Sequence, residues 1–151
     1  MFSNWENELL IVLNIVIAAI LTGLIGIERE LHNKPAGFRT NMIVGSAAAL
    51  LISLGEIIIA NYTGDGLSDH IMADPTRVIE AIIVGISFIG AGTILKGERD
   101  EKVYYLTTAA TVLFSAGIGI SVALHQYVLS VSATLLIFLI NRISLYFYDK
   151  K

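Results

Sequence analysis

Five apolar stretches separated by short polar segments leave this chain little choice of fold. They cover residues 9–27, 42–60, 78–95, 106–124 and 127–146. Four of them run 18 or 19 residues, close to the ~20 needed to cross a hydrocarbon layer of about 30 Å. Inside lipid a lone segment satisfies its backbone only as a helix. The polar segments add an orientation. Ten Lys and Arg are present, and nine fall on one side of the alternating pattern. Those nine are Arg29, Lys34, Arg39, Lys96, Arg99, Lys102, Arg142, Lys150 and Lys151, which leaves only Arg77 on the other side. Short basic loops stay in the cytoplasm. The expected protein is therefore an all-α integral membrane protein with five transmembrane helices, N-terminus outside and C-terminus cytoplasmic. Residues 1–151 form one transmembrane domain with no separate soluble domain.

Composition agrees: 55% of residues are hydrophobic and 15% charged, with a mean hydropathy of +0.73. Soluble domains carry about 25% charge. The first stretch is expected to stay as a helix rather than leave as a signal peptide. Glu6 and Glu8 make its flank acidic, and its apolar run exceeds the usual ~7–15 residues. Cysteine is absent, which removes disulfides and thiolate ligands. The net charge of −3 offers nothing to nucleic acid. No Walker A pattern is present to cradle a phosphate, and no Ser/His/Asp set has a catalytic context. No enzyme activity, cofactor or metal centre is expected. The acidic loop around Asp65–Asp69 lacks EF-hand spacing and reads as solvated. His32, His70 and His125 read as solvated loop residues too.

Breakers and caps order the chain. Pro35 and Gly37 interrupt the first inner loop. Asn41 reads as a cap for the second helix, and Asp74-Pro75 starts the third. His125-Gln126 closes an antiparallel hairpin between the last two stretches. Small residues mark packing faces, since lipid gives no hydrophobic drive for helices to associate. They are Gly23 and Gly26, Gly45 and Ala49, Gly85, Gly90 and Gly92, and Gly117 and Gly119. These faces serve either packing within one chain or a subunit interface, and a homodimer or other homo-oligomer is expected. Charges within the spans normally face a partner or water. Glu56, Glu80 and Arg77 lie at similar depth on the outer side, as an interfacial ion pair or as an outward-facing cation or proton site. On the inner side, Arg142 either snorkels to the headgroups or reaches Glu28 or Glu30. The charged ends of the first and fifth helices and the loop Glu28–Thr40 are expected to form one cytoplasmic cluster in which Arg29 and Arg39 neutralise Glu28 and Glu30, with Arg142 as a further candidate partner.

Three segments resemble the membrane domain of the MgtC/SapB family of bacterial inner-membrane proteins. The first is Gly23-Leu24-Ile25-Gly26-Ile27-Glu28-Arg29-Glu30, continued by Pro35-Ala36-Gly37-Phe38-Arg39-Thr40. The second is Asp74-Pro75-Thr76-Arg77, continued by Gly85-Ile86-Ser87-Phe88-Ile89-Gly90-Ala91-Gly92-Thr93-Ile94. The third is Leu106-Thr107-Thr108-Ala109-Ala110-Thr111, followed by Ala116-Gly117-Ile118-Gly119. Ser87 stands where the family usually has glycine, Phe114 where tryptophan is common, and Ala81 in place of a frequent glutamine. The virulence-associated members continue into a cytoplasmic regulatory domain.

The resemblance implies a multi-pass protein of the bacterial inner membrane, with a role in adaptation to low magnesium and in survival of pathogens inside host cells. It carries Glu28, Arg29, Glu30, Arg39, Asp74, Arg77, Thr107 and Thr108 into a functional polar network. Two functional readings follow. A small regulatory membrane protein would act on another membrane protein complex through its small-residue faces and inner charged loop. A cation or proton transporter would need a path between Glu56/Glu80 outside and Glu28/Arg142 inside.

Overall fold

Each apolar stretch folds as one helix in the computed structural model, which describes residues 4–64, 74–95 and 105–148. The helices are α1 (Asn4–Leu31), α2 (Phe38–Gly64), α3 (Pro75–Leu95), α4 (Leu106–Ala123) and α5 (Tyr127–Tyr148). No strand occurs among the described residues. α1 to α4 are long and apolar enough to cross a membrane, while the described apolar run of α5, Tyr127–Ile143, is shorter. Lys96, Arg99, Lys102, Lys150, Lys151, His70 and the acidic loop 65–69 lie outside the described residues.

Local chemistry sets the helix ends. α1 stops in a Schellman arrangement. The Lys34 N–H donates to the Arg29 carbonyl (3.0 Å) and the Asn33 N–H to the Glu30 carbonyl (3.0 Å), with Asn33 left-handed at φ 53°. α4 ends the same way. The Gln126 N–H reaches the Ser121 carbonyl (2.9 Å) and the His125 N–H reaches that of Val122 (2.9 Å), with His125 at φ 58°. Asp74 caps α3 as expected: its Oδ1 accepts from the Thr76 N–H at 2.9 Å and the Thr76 hydroxyl at 2.6 Å. Asn41 does not cap α2. The helix begins three residues earlier, at Phe38, whose N–H donates to the Glu30 carboxylate at 3.0 Å. A carboxylate from the preceding helix took the capping role, which freed Asn41 for the interior.

α4 is the axis of the bundle. It touches all four other helices, while α3 and α5 flank it without meeting among the described residues. In its span 61% of residues are buried, against 11% for α3. Glycine explains how the neighbours come so close. A Cβ on Gly119 would run into the Gly45 backbone, and one on Gly45 into the Thr22 side chain. On Gly26 it would lie 2.6 Å from the Phe38 Cα, and on Gly23 2.9 Å from the Phe38 ring. Gly90 packs on Ala109. Three glycines of the expected packing set pack on nothing among the described residues: a methyl group added at Gly85, Gly92 or Gly117 would meet nothing within 4 Å there. The remaining apolar surface, Phe88 and Val128 among it, faces outward as lipid-facing surface does.

Candidate functional site

At the carboxy-terminal end of α1, Arg29 is 2% exposed. Burying a charge in a membrane segment costs about 2.5–3.5 kcal/mol on insertion scales, so its partners decide whether it can stay. Two come from one face of α4: Nη2 donates to Thr108 Oγ1 at 2.6 Å and Nη1 to Thr111 Oγ1 at 3.1 Å. The third is the Pro35 carbonyl, which accepts from Nη2 at 3.0 Å and Nε at 3.2 Å. Four of the five guanidinium N–H donors are thus used. Thr111 passes its own proton to the Thr107 carbonyl at 2.7 Å, which leaves its oxygen free to accept.

The network extends to every neighbouring element at this end except α3. Glu28, 6% exposed, accepts from Asn141 Nδ2 of α5 at 2.6 Å. Asn41, fully buried, donates to the Ala36 and Gly37 carbonyls (2.5 and 3.0 Å) and accepts from the Ser115 hydroxyl of α4 at 2.9 Å. The inner loop is therefore strapped from two sides, by Arg29 through Pro35 and by Asn41 through Ala36 and Gly37.

Several expected partnerships are replaced here. Arg39 is exposed and makes no side-chain bond among the described residues, so it does not neutralise Glu28 or Glu30. Arg29 hydrogen-bonds neutral oxygens rather than the two carboxylates, and of those two Glu28 acts on it through its charge. Arg142 is exposed, and its neighbour Asn141 takes the Glu28 carboxylate instead. One residue of helical register separates the two, which turns Arg142 toward the outside. The Thr107 side chain is exposed and Thr108 is buried. His32 is bonded through Nδ1 to the Glu28 carbonyl at 2.7 Å rather than merely solvated.

The opposite end is built differently. Glu56, Glu80 and Arg77 are all exposed, and no ion pair joins them among the described residues. Fully hydrated charges gain little from pairing, about 0–1 kcal/mol. Asp74 sits with them at the surface. Its hydrogen bonds from the Thr76 hydroxyl and N–H, helped by the charge of Arg77, hold its carboxyl below the ordinary 3.8. Deeper in, Asn14 is 3% exposed. Its Oδ1 accepts from the Tyr127 hydroxyl at 2.8 Å and its Nδ2 lies 3.3 Å from His125 Nδ1. His125 lies exposed in the turn, as expected of a loop residue, and is hydrogen-bonded there as well. Beside this trio opens a cavity of about 270 Å³ that Glu56 and Ser53 also line.

Thr111, Ser115, Asn41, Asn141, Asn14 and Ser53 did not stand out in the sequence as site residues. A readable signal existed for some of them. Thr108, Thr111 and Ser115 recur at helical spacing inside an apolar stretch, which marks one polar face.

Comparison with known proteins gives this polar end a lineage. The MgtC family profile matches residues 15–148. The chain is 36% identical over 130 residues to protein MgtC of Salmonella typhimurium (strain LT2), covering 86% of this chain and 50% of that one. It is 35% identical over 131 residues to YhiD of Escherichia coli (strain K12), provisionally named a magnesium transporter, covering 85% and 58%. An uncharacterized protein of Haemophilus influenzae shares 35% over 138 residues, covering 91% and 57%. The chain spans between half and three-fifths of the length of these curated relatives. No solved structure matches. The match takes in the Arg29 strap, the Asp74 cap, most of α1 and the other four helices, and the chain belongs to the MgtC family.

Proposed function

We propose that this chain is a regulatory protein of the bacterial inner membrane that acts on another membrane complex when magnesium is scarce. It crosses the membrane five times with its N-terminus outside, as the basic asymmetry indicates, and works as a homodimer or other homo-oligomer. The observation that carries this reading is the set of open glycines. Among the described residues, Gly85 and Gly92 on α3 and Gly117 on α4 have nothing against them. In lipid, close helix contacts form where small residues let backbones approach. Between α3 and α5, over Gly117 and Ala116, lies an apolar cavity of about 450 Å³. A helix of a partner would bury this surface.

The alternative is a cation or proton transporter running from Glu56/Glu80 to Glu28/Arg142. Its support is the Glu56 cavity and the provisional name of YhiD. Against it, Glu28 is held by Asn141, and neither Glu28 nor Arg142 lines that cavity. Two experiments separate the readings. Gly85→Leu and Gly92→Leu should leave the fold intact but abolish growth rescue under magnesium limitation and co-purification with partners. The purified chain alone in liposomes should carry no ion flux. Wild-type rescue by both leucine variants would remove the regulatory surface, and flux by the purified chain would establish transport.

A further inference from the structure

Among the buried polar residues near the amino-terminal end of α1 that take no part in the Arg29 network are Asn14 and Ser53. Asn14 is satisfied by Tyr127 and His125. Ser53 is not. It is 3% exposed, yet its hydroxyl has no hydrogen-bond partner among the described residues. A buried hydroxyl within a helix ordinarily bonds back to the preceding turn, as Thr22, Ser121 and Ser130 do here. No fully inaccessible side-chain polar atom among the described residues lacks a partner. The Ser53 oxygen therefore keeps what surface it has on the cavity that it lines.

That cavity, about 270 Å³, has Ser53, Glu56, Asn7, Asn14 and His125 on its polar side and aliphatic walls such as Leu10 and Ile57. Glu56 and Asn7 also lack protein partners among the described residues. Among the described residues neither lysine nor arginine lines the space, and Glu56 is its one carboxylate. His125 lines the same space and is held there at a backbone cost. It occupies the left-handed residue of the α4 terminus, φ 58°, where glycine is the usual choice. A side chain kept at such a position is tied to what that side chain contacts.

We propose that this cavity binds a primary ammonium group, carried either by an aminophospholipid headgroup or by a free small amine. An ammonium has three N–H donors and no acceptor. Glu56, Ser53 and the Asn7 amide oxygen supply a charge and neutral acceptors, and the aliphatic walls take the carbon attached to the nitrogen. A divalent ion is poorly served. Such ions are held by several carboxylates or carbonyls, whereas no group of three His, Cys, Asp or Glu suited to a metal exists among the described residues. The volume also exceeds what a single bare ion fills. Asn7 and Ala60 place the opening near the ends of α1 and α2, the depth at which headgroups lie in a spanning bundle.

The test uses the purified full chain in detergent micelles and follows its thermal midpoint as dioleoyl phosphatidylethanolamine is added. Wild type should rise by several degrees. Dioleoyl phosphatidylcholine, whose nitrogen has no N–H, should give little rise. Glu56→Gln, at an exposed position, and Ser53→Ala, which removes an unpaired hydroxyl, should both fold and lose most of the rise. Free ethanolamine in a parallel series assigns the source: a rise with it supports a soluble amine, and a rise only with the lipid supports a headgroup. An equal rise with phosphatidylcholine would overturn the assignment. So would an undiminished rise in Glu56→Gln, or a larger Glu56-dependent rise with magnesium chloride than with either amine.

Discussion

The two ends of the bundle handle buried polarity in opposite ways. At the Arg29 end, the charged and amide groups close on one another: Arg29 on Thr108, Thr111 and Pro35, Asn41 on Ser115 and the loop, Glu28 on Asn141. At the Asn14 end one trio closes, but Ser53 and Glu56 are left facing an open cavity. A satisfied network in low dielectric is rigid and specifies one arrangement. An unsatisfied set waits for a partner. The difference divides structural lock from receptive surface within a single 151-residue chain.

The largest effect expected from this division is at Arg29. Replacing it by alanine removes the centre of the lock, leaves Thr108 without its charged partner and Pro35 without its donors, and opens a void. Truncating one member of a buried charged cluster costs about 3–5 kcal/mol, enough to unfold a chain of marginal stability. Glu56→Gln at the open end should change stability by no more than about 0.5 kcal/mol, as exposed substitutions do. Unfolding in mixed micelles measures both. Equal losses at the two positions would break the comparison outright.

Adjacent threonines sharpen it. Thr108→Val keeps the shape and deletes an acceptor of a buried guanidinium, for a loss of about 1–3 kcal/mol. Thr107→Val lies one residue away on an exposed side chain and should stay within about 0.5 kcal/mol. Arg39→Ala belongs with Thr107 in this respect, since its side chain bonds nothing at this end among the described residues. A Thr107 effect as large as that of Thr108 would show that the α4 face has been assigned to the wrong register.

How much of this was legible follows from what hydropathy can and cannot encode. Five helices could be read because each apolar run is bounded by charges and breakers, and Asp74-Pro75 announced its own cap. The Glu28–Arg29–Glu30 run could be located as a polar cluster, but its partners could not. Charge invites pairing with charge, so Arg39 and Arg142 drew attention, whereas the buried Arg29 and Glu28 each took neutral hydrogen-bond partners. Asn141 and Arg142 differ by one residue, about 100° of helical rotation, and no composition argument fixes rotation without the neighbouring helix. The glycines divided for a related reason. Gly26, Gly45 and Gly119 face the α4 axis or the strapped loop, while Gly85, Gly92 and Gly117 face outward, and spacing alone marks both sets alike.

His125 tests whether the open end is nonetheless organised. Its left-handed backbone costs about 1–2 kcal/mol relative to glycine. If the Asn14 and Tyr127 contacts offset that cost, His125→Gly in the wild-type background should give little or no gain, because Asn14 loses a buried partner. In an Asn14→Leu background the same change should stabilise by about 1 kcal/mol. The difference between the two is the coupling energy of the pair. A gain of equal size in both backgrounds would mean that the histidine serves nothing but the turn.

The smallest effect belongs to Asp74, the conspicuous carboxylate of the Asp74-Pro75-Thr76-Arg77 motif. Its side chain is fully exposed, and its Oδ1 takes both donors from Thr76. Asn accepts the same bonds at a helix start about as well as Asp, so Asp74→Asn should keep the helix and, if capping is its whole role, growth under magnesium limitation. The pH dependence separates cap from charge. The folded carboxyl titrates below its ordinary value of 3.8 because the bonds from Thr76 favour the ionised form. A depressed carboxyl contributes stability above that ordinary value and loses it as pH falls through the folded one. The wild type should therefore show a slight extra loss of thermal midpoint below about pH 3.8 that Asp74→Asn lacks, with the two coinciding near neutrality. An inactive but fully folded Asp74→Asn at neutral pH would place the negative charge itself in the function. It would also make the exposed surface around Arg77 and Glu80 a contributor to activity, alongside the open glycines.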